Sequence, residues 1–405
     1  MSVVVQKYGG SSLAGVERLR AVAERVAQTR SRNDRVVVVV SAMGDTTDEL
    51  AALAHQLNED PPSREMDMLL STGETVTAPL LAMALAARGV DAVSLTGMQA
   101  GIRTSGAHRS ARIVDIVPQR IVDHLSAGHV VIVAGFQGVS EQLDVTTLGR
   151  GGSDTTAVAL AVALHADQCE IFTDVAGIHS ADPRVVGDAR PVASINYDEM
   201  LELASAGATV LHPRAVEIGA AYSMPIRVRS AFVDGPGTLI GRQHHMEDLP
   251  KVRGIAHETD VAKVTLLGVP DRPGIAAAVF GPLGSAHINV DIIVQNVSHS
   301  GHTDLSFTLA ESDLNRARPV LDRVVAGVGA DGYDADRDIA KVTVVGAGIL
   351  GTPGVVARIF EALAGELINI KMISTGEIRV TCIIERSRVE DAVRALHHTF
   401  ELDLL

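Results

Sequence analysis

Short apolar, β-branched runs alternate with stretches of helical period through the first half of the chain. Val3-Val4-Val5 reads as a buried strand ending at Lys7-Tyr8-Gly9-Gly10-Ser11-Ser12, and Val16, Leu19, Val22, Ala23 and Val26 follow at helical spacing. The run 36–40 is all valine, as in parallel sheets covered on both faces, and it ends at 41–48, where a further helix begins. The same reasoning predicts a helix over 66–87, a strand over 92–95, a helix over 110–126, and strands over 130–134 and 169–173. Between the last two strands lies Thr146-Thr147-Leu148-Gly149-Arg150-Gly151-Gly152-Ser153-Asp154-Thr155-Thr156. The helix it feeds, 157–164, is apolar on every face and is expected to be buried. Strand–helix alternation implies a parallel sheet between helices, with ligands beyond the carboxyl ends of the strands. Four polar, glycine-bearing junctions leave strands towards that edge: 7–12, 41–48, 135–154 and 173–184.

The second half repeats itself. After 225–229 and a Gly-Pro-Gly turn at 235–237, the stretch 241–250 is polar and linker-like. Lys263-Val264-Thr265-Leu266-Leu267-Gly268 then answers Lys341-Val342-Thr343-Val344-Val345-Gly346. Pro273-Gly274 answers Pro353-Gly354, Phe280 answers Phe360, and Ile288-Asn289-Val290 answers Ile368-Asn369-Ile370. Each copy reads as a small βαββαβ unit of ferredoxin-like type. The expected organisation is a first domain over 1–245, a linker over 246–262, and two small domains over 263–335 and 336–405. Gly346-Ala347-Gly348-Ile349-Leu350-Gly351 matches a dinucleotide fingerprint, but its counterpart Gly268-Val269-Pro270-Asp271-Arg272-Pro273 does not, which argues against NAD.

Composition narrows the chemistry. The 405 residues have room for two to three domains, and with 46% apolar but only 3% aromatic residues their cores are aliphatic. A net charge of −14 without a basic stripe argues against nucleic acid. Cys169 and Cys382, far apart in strand-like segments, suit buried thiols in a reducing compartment. No secretory signal and no apolar run of ~18 residues is visible, so the expectation is cytoplasmic, with no membrane partner. The histidine pairs 244–245 and 397–398 have no carboxylate or thiol framework nearby in sequence and are expected at the surface, leaving no metal site made by protein side chains.

The junctions carry recognisable chemistry. A buried helix opening onto Gly151-Gly152 offers amides and a positive dipole end to an anion, and Arg150 adds a planar fork. Lys7, between a strand and Gly9-Gly10, suits phosphate oxygens, though a solvated strand-end lysine would look the same; no P-loop is present. Glu74 shares a helix face with Leu70, Ala78 and Leu81, so its carboxylate needs a partner, either a substrate ammonium or an internal arginine. The charged loop 173–184 has no assignment from its residues alone.

Taken in order, Lys7-Tyr8-Gly9-Gly10-Ser11-Ser12, Ser41-Ala42-Met43-Gly44, Ser71-Thr72-Gly73-Glu74, Gly149–Asp154 and Ala181-Asp182-Pro183-Arg184 resemble the aspartokinases of the amino-acid kinase superfamily, across essentially the whole chain. The two small units resemble ACT domains. The resemblance implies a three-layer αβα catalytic domain with a mainly parallel sheet, followed by two ACT domains. It implies transfer of phosphate from ATP, with Mg²⁺, to the side-chain carboxylate of L-aspartate, the first step towards lysine, threonine and methionine. Lys7 and Asp154 would be catalytic. Lys7, Gly9, Gly10, Ser41, Thr173, Asp174, His179, Ser180, Ala181, Asp182, Pro183 and Arg184 would surround the nucleotide. Asp45, Thr47, Glu74, Arg150, Gly151, Gly152 and Ser153 would hold aspartate. Asp271, Asn289, Val290, Asp291, Gln295, Asn369 and Ile370 would contact threonine and/or lysine as effectors. A homo-oligomer through the ACT domains is implied, with Met246 a possible start for a separate regulatory subunit. Two departures stand out: His179 replaces a tyrosine usual in similar sequences, and Gly376 replaces a serine, which would weaken feedback. A kinase for glutamate or an aspartate analogue, or an inert amino-acid-binding regulator, are the competing expectations.

Overall fold

The computed structural model describes residues 2–32, 35–242, 251–296, 301–349 and 351–404. They form two compact units. Met1–His179, Pro191–Ser205 and Thr209–Asp248 make the first; Ser180–Arg190, Ala206–Ala208 and Leu249–Leu405 make the second.

In the first unit the strands run β1 (Val3–Tyr8), β2 (Arg35–Val40), β3 (Ala92–Leu95), β4 (Ile102–Thr104), β5 (Ile113–Ile116) and β6 (Val130–Ala134). There follow β7 (Gln137–Val139), β8 (Val145–Thr147), β9 (Gln168–Thr173), β10 (Ser194–Ile195), β11 (Ile226–Ser230) and β12 (Thr238–Ile240). Eight of them make one sheet in the order β10-β12-β11-β9-β1-β2-β6-β3. Every pairing in it is parallel except β11 with β12. Along β2, Val36, Val38 and Val40 pack with Leu19, Val22 and Val26 of one helix and Leu81 and Leu85 of another. Val37 and Val39 are equally buried on the opposite face, where helix Gly152–Ala163 lies against β1, β2 and β9. The result is the expected three-layer αβα arrangement. Of the apolar run 157–164, residues 157–161 are buried as expected and 162–164 are half-buried, while the polar first turn 152–156 is buried too.

Two helices differ from expectation. The stretch 110–126 splits into β5 and a helix Gln119–Ser126 because Ile113, Val114 and Ile116 favour extended backbone and Pro118 marks the helix start. The stretch 66–87 breaks at Ser71 into helices Ser63–Leu70 and Thr72–Ala86. A second small sheet, β5-β4-β7-β8, has strands too short to stand out by periodicity.

In the second unit the strands are β13 (Gly254–Glu258), β14 (Ala262–Pro270), β15 (Ile293–Gln295), β16 (His302–Leu309), β17 (Gly332–Asp336), β18 (Ile339–Val345), β19 (Ile370–Thr375) and β20 (Arg379–Glu385). They form two four-stranded sheets, β15-β16-β14-β17 and β13-β18-β20-β19. The first repeat copy supplies its own closing strand, β17, beside β14. In the second copy that place beside β18 is taken by β13, from the stretch expected to be linker. Gly254, Ile255 and Ala256 are buried there. Residues 246–250, with Met246, and the pair His244-His245 lie outside the described residues. Gly346 and Gly348 of the fingerprint-like 346–351 stretch serve packing: a Cβ would lie 2.2 Å from the Lys251 carbonyl oxygen at Gly346 and 2.5 Å from the Lys251 side chain at Gly348, while Gly351 faces open space. Cys169 and Cys382 are free and buried.

Candidate active site

The exit loops of β1, β2 and β6 and the start of helix Gly152–Ala163 enclose a cavity of about 520 Å³ in the first unit. Of the residues singled out from sequence, Lys7, Gly10, Ser41, Thr47, Glu74, Arg150, Gly151, Gly152, Ser153 and Asp154 line it. Lys7 and Arg150 therefore face one space.

Lys7 sits in the middle of the sheet, its Cα paired in register with Val39 on one side and Ile171 on the other. Its Nζ lies 2.7 Å from Asp154 Oδ1, with both side chains about nine-tenths buried. Asp154, in the first turn of helix Gly152–Ala163, spends its charge on this pair. The helix is capped by Gly151 without a side-chain bond, which leaves first-turn amides facing the cavity.

Glu74 is 3% exposed and belongs to the first turn of helix Thr72–Ala86. Its Oε1 accepts from the Ala42 amide at 3.1 Å, while its Oε2 has no partner. Burial pushes the carboxyl up to about 7, against the backbone hydrogen bonds that favour ionisation. No internal arginine answers it among the described residues. Across the cavity Arg150 is exposed and makes no ion pair or hydrogen bond among the described residues. An unpaired carboxylate oxygen and an unpaired guanidinium in one cavity complement a ligand carrying both an ammonium and a carboxylate.

Gly151 requires its residue type. It has φ +66°, and a Cβ would lie 2.2 Å from His212. Gly151→Ala is expected to displace the loop from His212 and raise the KM for the amino-acid substrate about tenfold, from left-handed backbone strain and overlap together. An unchanged KM would show that the loop adapts freely.

The cavity wall also holds Asp48, Phe136 and Thr147, which lie in the predicted junctions but were given no role of their own, and Arg109, which lies outside them. Behind them stands Asp67, fully buried on helix Ser63–Leu70. Its carboxylate accepts from Thr147 Oγ1 at 2.6 Å and from the Arg109 amide at 3.0 Å, and meets His108 Nδ1 at 2.7 Å. A lone aspartate between Met66 and Leu70 was the available signal, since a buried carboxylate demands donors.

Other predicted positions lie elsewhere. Asp45 is the exposed N-cap of helix Thr46–Leu57 and does not line the cavity. Gly9 lies beside it, where a Cβ would be 3.4 Å from Lys7 Nζ. Thr173 Oγ1 donates to Asp174 at the end of β9, and His179 Nδ1 lies 3.1 Å from the Gly177 carbonyl oxygen. Ser180 and Ala181 are 1% and 4% exposed and belong to the second unit, Ala181 within its core. Their side chains are taken up by packing and, for Ser180, by a contact with His397. Asp182 pairs with Arg184 at 2.8 Å, which holds its carboxyl below the usual range, and Pro183 is exposed between them.

Of the effector positions, Asp271, Asn289, Asp291, Gln295 and Asn369 are exposed and Val290 and Ile370 half-buried. Asp291 accepts from Lys341 of the other repeat copy at 2.9 Å. Gly376 does not use a positive φ, and its amide donates to the Arg379 carbonyl.

Comparison with known proteins agrees with this layout. The profile of the amino acid kinase family matches residues 2–230, and ACT domain profiles match 263–326 and 342–400. The chain is 53% identical over 405 residues to the aspartate kinase of Stutzerimonas stutzeri, covering 100% of this chain and 98% of that protein. It is 49% identical over 409 residues to the aspartokinase of Corynebacterium glutamicum, covering 99% and 97%. The crystal structure of E. coli aspartokinase III in complex with aspartate and ADP (R-state) aligns with a TM-score of 0.85 at 27% identity, over 98% of this chain and 99% of that one. The same enzyme in complex with lysine and aspartate (T-state) gives 0.75 at 26%, with the same coverage.

Proposed function

This chain belongs to the amino acid kinase family, within it to the aspartate kinases that carry ACT domains, and from that membership we propose how its own residues move a phosphoryl group from ATP to the side-chain carboxylate of L-aspartate. The observation that supports the assignment best is the pairing, in one cavity, of the free Glu74 oxygen with the free Arg150 guanidinium. Glu74 takes the substrate ammonium and Arg150 a carboxylate, with the Thr47 and Ser153 hydroxyls beside them. The reacting carboxylate is already ionised at pH 7, so no base is needed, and catalysis rests on positioning and charge neutralisation. Lys7 meets the transferring phosphoryl group, Asp154 holds its ammonium in place, and Gly9, Gly10 and Ser41 lie around the phosphates. Thr173, Asp174 and His179 border the nucleotide.

Of the three carboxylates that line the cavity, Asp48, Glu74 and Asp154, it is Asp154 beside Lys7 that would hold Mg²⁺, an ion that takes few protein ligands and keeps phosphate oxygens and water as the rest. When bound there, Mg²⁺ supplies neutralisation of phosphate charge. ADP release is expected with L-aspartate and not with L-glutamate; equal kcat/KM for the two would overturn the assignment of the amino-acid site.

Control by lysine and/or threonine through the ACT domains, and a role at the head of lysine, threonine and methionine synthesis in the cytoplasm, complete the proposal. Ile293 and Ile373, 50% and 44% exposed on β15 and β19, support assembly of a homo-oligomer through these sheets. A Cβ at Gly376 would lie 3.2 Å from the flexible Arg379 side chain, so Gly376→Ser is accommodated by a small rotation. That variant is expected to be inhibited by lysine or threonine, alone or together, at lower concentration than the parent. No response of either protein to either amino acid would remove feedback from this chain's function.

A further inference from the structure

We propose that Asp188, His397 and His398 form a binding site for a divalent transition-metal cation of the zinc class, separate from the kinase cavity. All three residues belong to the second unit. One ligand atom from each lies within 4.8 Å of the others.

His397, expected at the surface, is fully buried on helix Val389–Thr399. The helix turns its apolar stripe of Val389, Val393 and Leu396 into the core and carries the ring with it. Its Nδ1 has no hydrogen-bond partner and lies 4.0 Å from Asp188 Oδ1, too far for a hydrogen bond. An unpaired buried ring nitrogen is costly unless something fills the gap. A cation between nitrogen and carboxylate does so.

The other ring nitrogen is already held. Nε2 lies 2.9 Å from Ser180 Oγ, which also accepts the Arg190 amide at 3.1 Å. With the Nε2 proton donated to Ser180, the Nδ1 lone pair is fixed in direction, the outer-shell arrangement that orients metal-ligating histidines. His398 and Asp188 are exposed and can rotate inward to coordination distances of ~2.0–2.2 Å, leaving a fourth position to water. Two imidazoles and one carboxylate select zinc-class ions over Mg²⁺ or Ca²⁺, which want oxygen.

Such a cation would clamp the 180–190 segment onto the last helix, beside the existing bond from Arg394 Nε to the Val185 carbonyl oxygen at 3.1 Å. The test uses the full chain, metal-free, titrated with Co²⁺ by visible absorbance and with Zn²⁺ by equilibrium dialysis. His397→Ala would empty a core position, so the informative variants are the exposed His398→Ala and Asp188→Asn. One saturable equivalent per chain is expected, weakened about 10- to 100-fold in each variant, with a Zn²⁺-dependent rise in Tm that both variants lose. Because the chain holds 15 histidines, binding by others is separated by these variants. Absence of a saturable equivalent, or identical affinity in parent and variants, would overturn the site.

Discussion

Replacement of Lys7 by alanine is expected to lower kcat about 10²–10³-fold while the KM for aspartate changes less than about threefold. Lys7 is the only cation that the central strand delivers to the cavity, and its ammonium stands over Gly9 where phosphate oxygens would pass. In the proposed mechanism it answers charge on the transferring group, so its loss should fall on the transition state rather than on aspartate binding. Removing it also leaves Asp154 as a buried, unpaired carboxylate, which destabilises the fold. The two effects separate in a double variant. Lys7→Ala/Asp154→Asn is expected to recover much of the lost Tm but none of the lost kcat. Lys7→Ala with near-normal kcat removes Lys7 from the mechanism.

The parallel sheet was legible because β2 and β6 are continuous apolar runs and because each ends in glycine and polar residues. What could not be read has a physical reason in each case. The strands β4, β7 and β8 are three residues long, too short for a period to appear. The strand β13 completes a sheet whose other strands begin more than 80 residues later, a pairing that local pattern does not encode. Residues 180–190 sit with the second unit although in sequence they fall between β9 and β10 of the large sheet.

The cavity itself was read through motif residues, and ten of the singled-out positions line it. Arg109 was missed, and Thr147 was given no role, because their place depends on Asp67, a contact across 42 positions in one case and 80 in the other. His397 was misread because helical neighbours of opposite exposure look alike as a His-His pair; only the stripe of Val389, Val393 and Leu396 separates them.

Glu74→Gln is expected to raise the aspartate KM about 10²-fold, with a smaller change in kcat, because an amide cannot neutralise the substrate ammonium in a buried site. The pH dependence carries the stronger test. In the unfolded chain the carboxyl ionises near its ordinary 4.5, whereas burial in the free enzyme holds the proton until about 7. Between those values the folded protein binds more protons than the unfolded one, so this group's contribution to stability falls as pH rises through that window. Aspartate needs the ionised form, and below pH 7 its binding must expel the proton. The aspartate KM of the parent is therefore expected to fall about tenfold per unit as pH rises towards 7 and then level off. In the glutamine variant that slope disappears, and above pH 7 its substrate-free Tm exceeds that of the parent because a buried charge has been removed. An unchanged KM, or the same pH slope in both proteins, would place the ammonium elsewhere. The expected pattern, weaker binding together with a more stable empty site, would arise only if the unpaired oxygen of Glu74 is held at a cost for the sake of the substrate.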